Sequence, residues 1–220
     1  MRLRCGRLRG LLGCLLAGAT VLQAQWHPSF TEYYPHHNFT FGAGAAMPKG
    51  DLGGFFENKP GIDIAYGYRF NRYFQADLGL DMVFGAAHVD DFLDTALGPV
   101  RIRDRQYFVP LGGRAILPLA GGRVLIAGGG GGAYMRYSEL LRQPSYYYRI
   151  DCPVCVTRDG WGYYALVETS FFLDQNQHFR IGAQYRNYRG HTEGPSLAGI
   201  PAVETKDRWQ NILGIVGFSF

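Results

Sequence analysis

The sequence predicts an all-β chain: a closed, eight-stranded antiparallel up-and-down transmembrane β-barrel. Three observations predict it. Segments of about ten residues alternate apolar and polar with period two, the strand signature of a barrel in lipid. Short and long connections alternate between those segments. After residue 24 no stretch stays apolar for the roughly 18 residues that a membrane helix needs.

The segments follow in order. In the first, starting at Asn38, Phe39, Phe41, Ala43 and Ala45 share a face opposite Thr40, Gly42 and Gly44. In the second, Ile62, Ile64, Tyr66, Tyr68 and Phe70 lie opposite Asp63, Ala65, Gly67 and Arg69. The third is the clearest: Phe74, Ala76, Leu78, Leu80, Met82 and Phe84 against Gln75, Asp77, Gly79 and Asp81. The fourth covers about residues 105–119, with Val109, Leu111, Gly113, Ala115 and Leu117 outward and Arg114 inward. The fifth covers 123–137, with Leu125, Ala127, Ala133 and Met135 outward, which places Arg136 inward. The sixth, 161–173, turns Tyr163, Ala165, Val167 and Phe171 out and Glu168 in. The seventh, 177–189, turns Phe179, Ile181, Ala183 and Tyr185 out and Arg180, Gln184 and Arg186 in. The eighth runs from Trp209 to Phe220, with Ile212, Gly214, Val216, Phe218 and Phe220 on one face.

Asn71-Arg72, Ala120-Gly-Gly122 and Asp174-Gln-Asn176 are tight-turn chemistry. The other connections, about residues 47–60, 87–104, 138–160 and 190–207, are long. In hydrocarbon no strand edge can stay unpaired, so the sheet must close. Eight strands leave an interior that side chains just fill.

The start of the chain reads as an export signal. Arg2, Arg4, Arg7 and Arg9 precede an apolar run from Leu11 to Leu22, too short to span a membrane. Residues 1–24 are therefore expected to be a secretory signal peptide, 25–37 a periplasmic segment and 38–220 the barrel. The net charge of +4 belongs to the signal: without its four Arg, the chain has 18 basic and 18 acidic residues. No basic cluster remains to argue for nucleic acid.

Signal, eight segments, loop asymmetry and a terminal aromatic strand together resemble the small eight-stranded outer-membrane barrels of Gram-negative bacteria, the OmpA/OmpX/OmpW-like, porin-like group. The resemblance covers the architecture of residues 38–220 and no family-specific functional motif. It implies short periplasmic turns, long extracellular loops and an integral outer-membrane location. Ile212, Val216, Phe218 and Phe220 resemble the C-terminal signal such barrels present to the barrel-insertion machinery. The remaining partners it implies are outer-membrane lipid and lipopolysaccharide.

The inward faces carry the candidate functional residues: Asp63, Arg69, Asp77, Asp81, Arg114, Arg136, Glu168, Arg180 and Arg186. Charges in a narrow lumen are costly unless paired. The expectation is a salt-bridge network that plugs the barrel; the alternative is a narrow polar pore whose pairs exchange partners.

Gly128 to Gly132 lack the Lys-Ser/Thr of a phosphate loop, and fit a sharply curved strand better. Cys152-Pro-Val-Cys155 is expected to be a disulfide clipping an outer loop, since an exported chain favours oxidised pairs. His27, His36 and His37 read as a solvated interfacial segment; no metal or cofactor is expected. His88 with Asp90 and Asp91, or His191 with Glu193 and Ser196, lack the pattern of lipid-modifying barrel enzymes, and an enzyme is the third reading. Phe55, Phe56, Phe92, Leu93 and Tyr146 to Tyr148 are expected to give the loops an aromatic contact surface for a partner.

Overall fold

The computed structural model describes residues 34–86, 92–95, 98–144, 150–197 and 200–220, with backbone alone at 92–95, 98–102, 141–144 and 150–155. Residues 1–24, expected as a signal, and 25–33 after them lie outside the described residues.

The strands are β1 (His37–Gly50), β2 (Lys59–Asn71), β3 (Phe74–Phe84), β4 (Phe92–Thr95), β5 (Gly98–Leu119), β6 (Val124–Pro144), β7 (Ile150–Phe172), β8 (Phe179–Glu193) and β9 (Thr205–Ser219). β4 is a short hairpin arm on β5. The other eight form a ring of antiparallel pairs: β3 pairs with β5, and β1 pairs with both β2 and β9. No edge of the ring is left open, which satisfies the backbone without water. At the closing seam Phe39 faces Phe218 and Phe41 faces Val216, while His37 and Phe220 exchange two backbone hydrogen bonds of 2.9 Å.

Three connections are tight. Arg72 and Tyr73 turn β2 into β3, with the Asn71 side chain accepting from the N–H groups of Tyr73 at 2.8 Å and Phe74 at 3.0 Å. Residues 120–122 form a short 3-10 turn in which Gly121 and Gly122 take positive φ of 68° and 87°. Between β7 and β8, Asp174 accepts from the N–H groups of His178 at 3.0 Å and Phe179 at 2.7 Å. Slight burial pushes its carboxyl up, but those N–H groups outweigh it and hold the carboxyl below the usual carboxylate range.

Several strands run further than the apolar alternation. β5 begins at Gly98, β6 reaches Pro144, β7 begins at Ile150 and β9 begins at Thr205. Apolar alternation marks only the outer apolar belt, whereas the backbone ladder continues beyond it.

The outer surface is apolar. Phe41, Leu78, Leu111, Val167, Ile181, Ile212 and Val216 all stand exposed on it, Leu111 by 63%. A contiguous belt of this kind is a surface built for hydrocarbon. Phe39, Phe179, Phe218 and Phe220 gather at the turn end of the seam, with ring centroids 5.2 Å apart for Phe179 and Phe218 and 5.6 Å for Phe218 and Phe220.

β6 reverses the expected facing. Leu125, Ala127, Ala133 and Met135 are buried in the lumen, Ile126 is exposed, and Arg136 is exposed on the outer wall. Register explains the correction. Ile126 pairs with Leu117 and Tyr134 with Val109, and direct antiparallel partners share a face. Val124 to Ala127 are apolar on both faces, and the glycines after them carry no side chain to mark the phase. A β-carbon at Gly131 would run into the Leu111 carbonyl and one at Gly129 into the Gly113 carbonyl, so the run lets β5 and β6 approach closely.

Candidate functional site: the barrel lumen

The period-two backbone brings side chains from all eight strands into the interior. Asp63, Arg69, Asp77, Asp81, Arg114, Glu168, Arg180 and Arg186 are all at most 6% exposed there. All but Arg69 form two clusters along the axis.

The cluster nearer the turns centres on Arg114 of β5. Its Nε donates to Asp77 Oδ2 at 2.6 Å, and its Nη1 donates to Glu168 Oε2. Arg180 reaches Glu168 Oε1 at 3.8 Å and donates to the Thr40 hydroxyl at 2.7 Å. A β-carbon at Gly217 would lie 2.5 Å from Arg180 Nε, so this glycine leaves the guanidinium its space. The second cluster centres on Arg186 of β8. Its Nη1 donates to Asp81 Oδ1, to Asp63 Oδ1 at 3.1 Å and to the Tyr188 hydroxyl at 3.1 Å. Asp81 Oδ2 also accepts from Tyr188 at 2.9 Å and from Asn211 Nδ2 at 3.0 Å.

Two expected members stand apart. Arg136 is outside, as its register requires. Arg69 is buried at the turn end, where it donates to the Arg72 carbonyl at 3.3 Å and lies 5.9 Å from the Tyr34 ring. Among the described residues no carboxylate pairs with it.

Beyond Arg186 the lumen turns aromatic. Phe108 stacks on Tyr188 with centroids 4.8 Å apart, and Trp209 Nε1 donates to the Tyr137 hydroxyl at 3.0 Å. Phe56 is not a contact surface but part of this core, 5.7 Å from Tyr137 and 5.5 Å from Trp209. Leu52, Leu197 and Ile200 pack on the same cluster from the segments that follow β1 and β8.

The loop end is tied across by Arg158, which is fully buried. It donates to the carbonyls of Thr192 at 2.9 Å, Pro201 at 3.0 Å and Val203 at 3.0 Å. Thr192 and Thr205 in turn donate to the two oxygens of Asp207, at 2.5 Å and 2.7 Å. The sequence does not single out Arg158, Thr205 and Asp207, because they fall where apolar alternation stops and long connections are expected. One signal was present: Thr205, Asp207 and Trp209 continue the inward parity of Asn211 and Leu213.

The expected bridge between Cys152 and Cys155 falls in β7 at a β-bulge, where Asp151 pairs with Gln143 but Val154 with Leu141, and both side chains lie outside the described residues. His36 and His37 sit in the turn-end belt, with Nδ1 against the Arg69 carbonyl and the Tyr66 hydroxyl, both at 2.8 Å. His191 lies on the outer wall, 3.0 Å from Glu204, with Glu193 and Ser196 both exposed. His27, His88, Asp90, Asp91 and Tyr146 to Tyr148 lie outside the described residues, as do the side chains of Phe92 and Leu93.

No protein-family model matches the chain, and no curated protein matches its sequence. Solved structures match its shape. Neisserial surface protein A (NspA) is similar at a TM-score of 0.52 and 13% identity, over 84% of this chain and 97% of that one. Ail of Yersinia pestis, solved with the heparin analogue sucrose octasulfate, is similar at 0.49 and 11%, over 86% and 100%. The outer membrane protein OprG of Pseudomonas aeruginosa is similar at 0.47 and 14%, over 86% and 98%. At 13% identity the likeness to NspA is one of fold: in fold, this chain is a small, closed, eight-stranded β-barrel of the outer-membrane kind.

Proposed function

We propose that this protein is an integral outer-membrane barrel whose body is a closed anchor and whose loop end makes structural or surface contacts. Its partners on this reading are outer-membrane lipid, lipopolysaccharide or a protein. The observation that carries the reading is the filled lumen. The clusters around Arg114 and Arg186 block it with paired charge, and the Phe56, Phe108, Tyr137 and Trp209 layer blocks it again with apolar bulk. Ile212, Val216, Phe218 and Phe220 all stand exposed on the outside of the closing strand, where barrel-insertion machinery would meet them. A liposome-swelling assay with small sugars tests closure: the refolded protein should admit none of them faster than protein-free liposomes, and size-dependent entry would overturn the reading.

A second reading, a narrow channel for small solutes, is favoured by one observation. Both amide atoms of Gln184, Asp63 Oδ2 and Asn211 Oδ1 are buried without a protein partner. Buried polar atoms of this kind are satisfied by water. A water file beside Arg186 would be the starting point of a conducting state.

A further inference from the structure

The outer wall carries a row of cations that the closed lumen leaves unused. Lys49 of β1 faces Arg208 of β9, Arg208 faces Arg189 of β8, and Arg189 faces Tyr163 of β7. One step further from the turns, Lys206 faces His191, and His191 faces Trp161. All share the outward parity of Val167, Ile181 and Val216. Lys49, Arg189 and Lys206 are exposed and Arg208 is half-buried, with its Nε lacking a partner.

Like charges directly opposite across strands repel, yet here three stand in line. Among the described residues none of the four cations forms an ion pair. The acids nearby do not neutralise them. Glu204 is held by His191 at 3.0 Å, and Asp207 points inward to Thr192 and Thr205. Glu193 and Asp159 lie further from the turns, opposite each other. Asp51 lines the shallow groove of about 650 Å³ together with Trp161, Tyr163, Arg189, Lys206 and Arg208, and among the described residues no ion pair joins it to those cations.

Height fixes what this groove meets. From Phe218, in the turn-end girdle, to Arg208 is ten residues of β9. At about 3.3 Å per residue and a tilt of about 40° the cations stand roughly 25 Å above that girdle, the height of the apolar band. They therefore sit at the second interface, beside Trp161, which is 71% exposed, and Tyr163, at 58%. Three neighbouring strands spread the cations over about 10 Å, enough for two phosphates.

We infer that Lys49, Arg189, Lys206 and Arg208 form a docking site for the phosphorylated headgroup of a lipid in the leaflet at the loop end. Guanidinium and ammonium groups bind the phosphate oxygens, and the two aromatic rings flank them at the same level. The site rests on the proposed outer-membrane placement, because only there does the groove open at headgroup level.

The test uses refolded protein in phosphatidylcholine nanodiscs, titrated with diphosphoryl lipid A and with its dephosphorylated counterpart. The variant Lys49→Gln/Arg189→Gln/Arg208→Gln should bind diphosphoryl lipid A about tenfold or more weakly than wild type. Both proteins should bind the dephosphorylated lipid equally poorly, and excess inorganic phosphate should not displace lipid A from wild type. A heat-modifiable gel shift confirms that the variant is folded, and the exposed Lys206→Gln alone gives a partial loss if the triple variant does not fold. Equal binding by variant and wild type overturns the site, as does equal binding of the dephosphorylated lipid or displacement by free phosphate. Failure of wild type to insert into bilayers at all would instead defeat the membrane placement.

Discussion

Asp63 and Asp81 are direct register partners on β2 and β3, and a single guanidinium, that of Arg186, holds both. The two carboxylates are not equivalent. Asp81 also accepts from Tyr188 and Asn211, whereas Asp63 Oδ2 has no partner. Neutralising Asp63 leaves Arg186 paired with Asp81, whereas neutralising Asp81 leaves one carbonyl oxygen and an amide donor where two oxygens accept from Arg186, Tyr188 and Asn211. Asp63→Asn should therefore be near neutral in stability, while Asp81→Asn loses about 2–4 kcal/mol and Arg186→Ala about 3–5 kcal/mol. Urea unfolding in lipid vesicles, followed by the folded band on unheated gels, measures all three. Equal losses for the two aspartates would contradict the asymmetry.

Arg158 joins β7 to the chain between β8 and β9 through the carbonyls of Pro201 and Val203. Leu197 and Ile200, in the same segment, are fully buried on the aromatic core. Arg158→Ala should release this strap while the barrel stays folded. Proteinase K acting on reconstituted protein should then cut within residues 194–204 several times faster than in wild type. Unchanged protection would show that apolar packing alone holds the strap.

Phe55 and Phe56 are neighbours with opposite fates. Phe56 is buried among Tyr137 and Trp209, and Phe55 packs at the margin of that cluster, partly buried. Phe56→Ala should cost about 3–5 kcal/mol, as large-to-small changes in a core do, and Phe55→Ala distinctly less. The same urea titration separates them.

Cys152 and Cys155, if bridged as an exported pair is expected to be, should resist maleimide in the folded protein until reductant is added. Mass spectrometry of a chain lacking residues 1–24 counts the adducts. Ready labelling without reductant would contradict the bridge.

The lipid-facing half of the fold was legible because hydrocarbon imposes period two on every strand that crosses it. Phe74–Phe84 announced both its ends and its facing. β6 did not, since Val124 to Ala127 are apolar on both sides and five glycines follow. Its phase is fixed by the pairing of Ile126 with Leu117, a contact between strands that no single segment encodes. The charged lumen residues were identified by parity, but their partition was not. Asp77 and Glu168 are 91 positions apart in the sequence, and only barrel closure brings both to Arg114. The tie at the loop end was hidden for a different reason: Arg158, Thr192 and Asp207 look like ordinary polar loop residues until the strands are seen to continue past the apolar belt.

The filled lumen is tested most directly by single-channel recording of the refolded barrel in a planar bilayer, for wild type and for Arg114→Ala/Phe108→Ala. The closed-anchor account predicts a silent wild type and, for a variant stripped of one residue from each blocking layer, current leakage above baseline. Reproducible discrete openings by the wild type would contradict it and make the Arg114 and Arg186 clusters the gate of a channel.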